Sequence, residues 1–348
     1  MKLTVAGENS IERLALSMGI PPVPLFETHL SFMRARAIMV ATKLGIFDAL
    51  VSEPLLATDV AHRCGTSPAP TEKLLNALAG SGYLRFRRGL YTLSAIARKW
   101  LTSNSASSVR DKVLFEFVEW SLVESFEDFV RSGKSLDVNC SFSDQQRGLY
   151  HRAMRALAGL AAPEVVRRTP MPKCANSMLD IGGSHGYFSV AMCRRYPELH
   201  AVILDLPTAV EHSAPILAKE GMGARVVHQV GDALNDELGE DAWDFVFVSQ
   251  LLHHFDEGRN RSLVKRVERA LRPGGVLAVI EFIRPSSPDE AGQAGALLDL
   301  YFALTSHSGT WSIPEILSWQ REAGLKPLRA IRLRTAPGAA VVAAVKGR

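Results

Sequence analysis

Met178-Leu-Asp-Ile-Gly-Gly-Ser-His-Gly186 decides how this chain is read. The mostly apolar residues Ser177 to Ile181 form a short strand, the glycines a tight turn, and Tyr187 to Tyr196 the helix that follows. A second apolar run, Ala201-Val-Ile-Leu204, ends on Asp205, nineteen residues past Gly186. A nucleotide-binding strand–turn–helix unit places a carboxylate on a ribose diol at about that distance. Glycine in the turn lets a ligand approach the backbone and lets the helix start close to the strand.

Asp180 narrows the ligand. A dinucleotide would set its pyrophosphate at this turn, and like charges there cost energy. A cation suits the site better. S-adenosylmethionine carries a sulfonium and an ammonium beside its adenosine, so Asp180 and Asp205 would serve its two ends. The plainer alternative is a structural turn in a parallel sheet.

Strands are expected near 177–181, 201–204, 225–230, 244–249 and 276–282, and helices near 187–196, 208–220, 259–271, 290–305 and 313–323. Leu328 to Arg334 and Ala339 to Val345 read as a closing antiparallel pair. The result is an open α/β sheet. Ligands in such sheets bind beyond the carboxyl ends of the strands, where Asp180, Asp205, Asp232 and the stretch from Ser249 to His253 fall.

The N-terminal part reads differently. Residues 1–20 look like a flexible arm, ended by Pro21-Pro-Val-Pro24. From Phe26 to Leu50 the pattern is helical, broken at Gly45, and apolar on most sides, which calls for burial on most sides. A partner subunit is the expected cover, hence a homodimer. Thr58 would cap a short helix ending at Gly65, and Ser67-Pro68 would start another ending at Gly80-Ser-Gly82. Tyr83–Phe86 and Leu90–Leu93 form a hairpin turning at Arg88-Gly89, and Ser94 starts one more helix. Helix, helix, hairpin is a winged-helix arrangement over residues 21–105. Its second helix, Thr71 to Ala79, carries only Lys73 as a base, too little for base edges and phosphates. Residues 106–170 are linking helices rich in aromatics that line a substrate pocket, and 171–348 form the catalytic domain.

Composition excludes several classes. The net charge of +4 is small for 348 residues and mixed in sign, so neither nucleic acid nor an anionic membrane is the expected partner. Cys64, Cys140, Cys174 and Cys193 form no CxxC pair, which argues against a zinc or redox centre and for a reducing cytoplasm. No apolar run approaches eighteen residues, and the N-terminus does not read as a signal peptide.

Leu179-Asp-Ile-Gly-Gly183 with Gly186, Leu204-Asp-Leu-Pro207, Gly231-Asp232, Leu252-His-His-Phe-Asp256, Leu271-Arg-Pro-Gly-Gly275 and Ala278-Val-Ile-Glu281 follow in order. Together they resemble the class I S-adenosylmethionine-dependent methyltransferases, and more closely the small-molecule O-methyltransferases of plant phenolic and bacterial secondary metabolism. The resemblance covers nearly the whole chain. It implies a Rossmann-like catalytic sheet preceded by a mostly α winged-helix dimerisation domain. It also implies S-adenosylmethionine as cofactor, S-adenosylhomocysteine as product, and no metal.

The resemblance assigns Asp180, Gly182, Gly183 and Gly186 to the methionine part of the cofactor and Asp205 with Leu206 to the ribose. Gly231, Asp232 and Ala233 meet the adenine, and Ser249 and Gln250 line the same site. His253 matches a catalytic histidine and Glu281 the carboxylate that orients it. Met154, His254, Phe302, Ser306, His307 and Trp311 fall on the acceptor side. A histidine can take the proton of a phenol as methyl transfer proceeds.

Three positions depart from the family. Ser184 replaces a frequent third glycine, His254 a common aspartate, and Thr310 a second orienting carboxylate; His307 and Trp311 stand near enough to substitute for it. The same fold also serves N- and C-methylation and non-methylating chemistry. A winged-helix metabolite sensor is the alternative from another class.

Overall fold

A computed structural model describes residues 2–136, 138 and 142–348, so Cys140 lies outside the described residues. The chain divides into two compact units, Lys2–Phe117 and Val118–Arg348.

In the first unit, the stretch expected as a loose arm contains a helix, Ser10–Ser17. Asn9 caps it by accepting from the Glu12 amide, and the Glu12 carboxylate accepts from the Glu8 amide, so local capping chemistry suffices where no apolar burial exists. Phe26–Leu30 winds as a single π turn into helix Ser31–Lys43. Gly45, at φ +76°, reverses the backbone before the short helix Ile46–Ala49. Leu30, Phe32, Met33 and Leu44 remain exposed along this segment. Helix Ala57–Cys64 starts two residues earlier than a cap at Thr58 allows: Leu56 is the N-cap, and Thr58 lies in the first turn. Helix Pro68–Gly80 and the hairpin of β1 (Leu84–Arg87) and β2 (Leu90–Leu93) complete the winged-helix pattern around buried Val60, Leu75, Leu78, Leu84 and Tyr91.

The second unit is built on one sheet. Its strands are β3 (Ser177–Ile181), β4 (His200–Asp205), β5 (Val226–Val230), β6 (Trp243–Ser249), β7 (Leu271–Phe282), β8 (Lys326–Pro327), β9 (Ile331–Arg332) and β10 (Ala339–Val345). The order is β5-β4-β3-β6-β7-β10-β8, with β9 also on β10. β3 to β7 are parallel, and β10 runs antiparallel to β7, pairing Val341 with Ile280. The order reverses between β3 and β6, the place where a ligand crevice opens in such sheets. β7 begins at Leu271, earlier than expected. Trp243 pairs with Leu271 and Phe245 with Val276, so Arg272 to Gly275 are absorbed as an irregularity inside the strand rather than a turn before it.

Both sheet faces are covered. Val190, Met192, Ile203, Phe245 and Phe247 belong to one core, and Leu179, Val246, Val264, Leu277, Ile316 and Trp319 to the other. Helix Asp144–Arg168 opens with a capping box of Ser143 and Gln146. Helix Pro288–Thr305 breaks at Gly292, whose φ of 59° and ψ of 177° are not helical. Among the described residues no helix is long and apolar enough to cross a membrane.

Candidate active site

The glycine turn after β3 is shaped by close approach. A Cβ on Gly183 would sit 2.5 Å from the Asp180 carboxyl group. One on Gly186 would sit 2.3 Å from Ile203 Cδ1, and Gly186 at φ +69° caps helix Tyr187–Arg195. These glycines bring helix, turn and carboxylate together.

Asp180 is buried beneath the turn. Its Oδ2 accepts from the Ser189 hydroxyl at 2.5 Å, while Oδ1 meets no donor among the described residues. Burial pushes this carboxyl up to about 7; the Ser189 hydrogen bond opposes the rise and the nearby Asp205 charge adds to it. Asp205 accepts from the Ser184 amide on Oδ2 and the Leu206 amide on Oδ1, both at 2.8 Å, so each oxygen keeps capacity for a diol. The Asp232 carboxylate is oriented by its own turn, with Oδ1 accepting from the Leu234 amide at 2.9 Å and Oδ2 from Asn235 Nδ2 at 2.7 Å, and each oxygen keeps a further lone pair.

A cavity of about 370 Å³ opens above these residues. Of the positions named for the cofactor, Gly182, Asp205, Leu206, Gly231, Asp232, Ala233 and Gln250 line it, and Asp180, Gly183, Gly186 and Ser249 do not. His254, assigned to the acceptor, also lines it. Gln250 adopts φ +54° and carries a buried Oε1 with no donor among the described residues. A buried carboxylate oxygen and a buried amide oxygen left without donors fit a ligand that brings N–H groups and positive charge. An adenosyl sulfonium with its α-ammonium meets that description.

The wall also holds Tyr150, one of the aromatics of the 106–170 segment, and residues that sequence reasoning missed, among them Arg147 and His151. His151 Nδ1 lies 2.6 Å from the Ser184 hydroxyl. Burial, followed by the charges of His212, Arg147 and His228, holds its imidazole down at about 4. The only signal was its place three residues before Met154, which the family resemblance sets on the acceptor side. Met154 itself is half-buried on helix Asp144–Arg168.

His253 sits on the one-turn helix Leu252–His254 directly after β6. Its Nδ1 lies 2.9 Å from Glu281 Oε2 on β7, and both side chains are buried. Glu281 Oε1 accepts from the amides of Leu251 and Leu252, each at 2.7 Å. That carboxylate fixes the turn and accepts a hydrogen bond from Nδ1–H, which leaves Nε2 as the free acceptor. The Leu252 carbonyl accepts from Asn260 Nδ2 at 3.0 Å and Trp311 Nε1 at 2.9 Å. The Phe302 ring lies 4.7 Å from His253 and the His254 ring 4.2 Å. Burial, with His253 beside it, holds His254 down at about 3, a neutral imidazole.

The acceptor-side expectations divide. Phe302 and His254 gather at His253. Ser306 is buried, its hydroxyl donating to the Phe302 carbonyl within the same helix. Trp311 does not serve as a substitute for the second carboxylate: its N–H is engaged by Leu252, and its ring packs in the core 5.0 Å from Trp319. His307 is exposed.

Comparison with known proteins places these observations. Residues 132–321 match the family model described as an O-methyltransferase domain, and residues 26–103 the O-methyltransferase dimerisation domain. The chain is 25% identical to the 3-hydroxy-5-methyl-1-naphthoate 3-O-methyltransferase of Streptomyces sahachiroi, covering 94% of this chain and 98% of that protein. It is 23% identical to the N,N-dimethyltransferase OxyT of Streptomyces rimosus, covering 92% and 96%. The crystal structure of human N-acetylserotonin methyltransferase in complex with SAM superposes with a TM-score of 0.84 at 21% identity, over 99% of this chain and all of that one, a likeness of fold.

Proposed function

The chain belongs to the O-methyltransferase family, and from that premise we propose that this S-adenosylmethionine-dependent enzyme methylates a hydroxyl of a small aromatic acceptor, with His253 as general base. The observation that carries the proposal is the buried His253–Glu281 pair, 2.9 Å apart, at the carboxyl ends of β6 and β7. When bound, the cofactor supplies a methyl group already activated on a sulfonium. The protein's remaining tasks are to hold both reactants in line and to remove the acceptor's proton. A phenol with an unperturbed pKa of about 10 is poorly ionised at neutral pH. Glu281 accepts from Nδ1–H and keeps that proton on the ring, so Nε2 of His253 receives the hydroxyl proton, and the resulting imidazolium is stabilised by the same carboxylate.

Asp180, Gly182, Asp205, Gly231, Asp232 and Gln250 hold the cofactor in this reading. The rings of Phe302 and His254 beside the base support a flat acceptor, and the naphthoate named for the Streptomyces sahachiroi relative has that shape. The dimerisation domain and the exposed apolar side chains of the 26–50 segment support a homodimer. Free Cys64, Cys174 and Cys193 are in keeping with a cytoplasmic setting. A second reading, methylation of nitrogen, draws on the name of the OxyT relative and on Thr310 in the place of the second carboxylate.

Replacing His253 with Ala tests the proposal. Methyl transfer to hydroxynaphthoate acceptors is expected to fall by about 10²–10⁴-fold while calorimetric binding of S-adenosylhomocysteine persists. A loss below about fivefold refutes base catalysis and leaves positioning alone.

A further inference from the structure

Thr310 stands where the family resemblance calls for a second carboxylate beside the base. Its side chain is buried, and its hydroxyl donates to Asp299 Oδ1. Asp299 lies on helix Pro288–Thr305, one turn before Phe302, whose ring touches His253. Residues 310 and 311 are tied to the surrounding frame. Arg284 Nη1 donates to the Thr310 carbonyl at 3.1 Å, and the Arg284 amide donates to the Trp311 carbonyl at 2.9 Å. Trp311 Nε1 donates to the Leu252 carbonyl, in the turn that carries the base. Position 310 is therefore fixed relative to His253, and the Asp299 carboxylate is fixed relative to position 310. A glutamate at 310 would end roughly two bonds beyond the point that the Thr310 hydroxyl reaches. Asp299 Oδ1 begins one hydrogen bond beyond the same point.

We propose that Asp299, held through Thr310, supplies the second carboxylate of the base: a positioning residue borne by the helix that also carries Phe302. The inference rests on the reading of His253 as the base. Among the described residues, the groups in direct contact with His253 include Glu281 from β7, His254 from its own turn and Phe302 from helix Pro288–Thr305. Of these Glu281 alone is an acid, and its Oε1 is occupied by two amides. A second negative charge on the Phe302 side favours the imidazolium that forms as the acceptor loses its proton. Charge and acceptor wall then move together, because one helix carries both.

Histidine ring-carbon NMR on the full-length protein tests this without an acceptor. The His253 resonance is assigned by its loss in His253→Gln. In Asp299→Asn, which keeps the shape and an acceptor for the Thr310 hydroxyl, the pH midpoint of that resonance is expected to fall by about one unit. In the double variant Asp299→Asn, Thr310→Glu it should return to the wild-type value. A midpoint that moves by less than about 0.3 unit in Asp299→Asn, or that the double variant fails to restore, overturns the proposal. If Asp299→Asn does not fold, Thr310→Val, which releases Asp299, is read for the same downward move, and a static midpoint there also overturns it. Methyl transfer retained by His253→Ala would remove the base reading itself; an unmoved midpoint beside an inactive His253→Ala removes only the role of Asp299.

Discussion

Asp180→Asn should stabilise the cofactor-free protein while weakening its hold on the cofactor. The Asp180 carboxyl rises from 3.8 to about 7, chiefly through burial. At low pH the folded and unfolded chains both carry it protonated. Between about pH 4 and pH 7 the unfolded chain releases the proton and the folded chain keeps it, so stability declines through that window and levels off above about 7. At about 1.4 kcal/mol per pH unit the full loss is on the order of 4 kcal/mol. Asparagine retains the oxygen that accepts from Ser189 and never ionises. Urea unfolding of both proteins from pH 4.5 to 8.5 should therefore show a stability difference that grows with pH in favour of Asn, approaching that figure near pH 8. Calorimetry should show the opposite preference. S-adenosylhomocysteine brings an ammonium, and wild-type affinity should rise up to about tenfold per unit as pH climbs toward 7, whereas the variant has a flat profile and at about pH 8 binds at least about tenfold more weakly than wild type. A stability difference that is the same at pH 5 and pH 8 would refute the reasoning.

Three further outcomes follow from the site and the fold. Asp205→Ala removes the acceptor at the Ser184 and Leu206 amides, and calorimetry should show cofactor binding weakened by about tenfold or more; an unchanged affinity would mean that the ribose is held elsewhere. Gly186→Ala must place a Cβ 2.3 Å from Ile203 Cδ1 at φ +69°, so urea unfolding should report a loss of about 2–3 kcal/mol, and a loss under about 0.5 kcal/mol would count against the tight turn. Phe32→Glu charges a side chain that is 49% exposed beside Leu30 at 48%; sedimentation should show the dimer dissociating toward monomer, and a wild-type monomer at micromolar concentration would dismiss the interface altogether.

Much of the catalytic sheet was legible because its parallel strands are continuous apolar runs buried on both faces. The expected 177–181 and 244–249 appear as β3 (Ser177–Ile181) and β6 (Trp243–Ser249). β7 was misjudged at its start because Pro273-Gly274-Gly275 carries the punctuation of a turn, and only pairing with Trp243 reveals it as part of a strand. Helix Ser10–Ser17 was missed because capping at Asn9 outweighs the lack of a buried face. In the site, the His253–Glu281 pair joins successive strand ends, a relation that strand spacing foreshadows. Asp299 could not be found that way. It reaches Thr310 from a helix eleven residues earlier in the chain, and that meeting depends on how helix Pro288–Thr305 docks. Trp311 was placed on the acceptor wall by its neighbours in sequence, whereas its buried surface and its N–H bond assign it to the core.

The break at Gly292 has a consequence for how this enzyme can diversify. It separates the helical segment bearing Asp299 and Phe302 from the strand bearing Glu281, so the two need not share one rigid axis. Changes in loop length or composition around residues 286–292 can re-aim the helical segment that bears Phe302 while the glycine turn after β3 stays as it is. In laboratory evolution that short stretch is the place to build libraries for new acceptors.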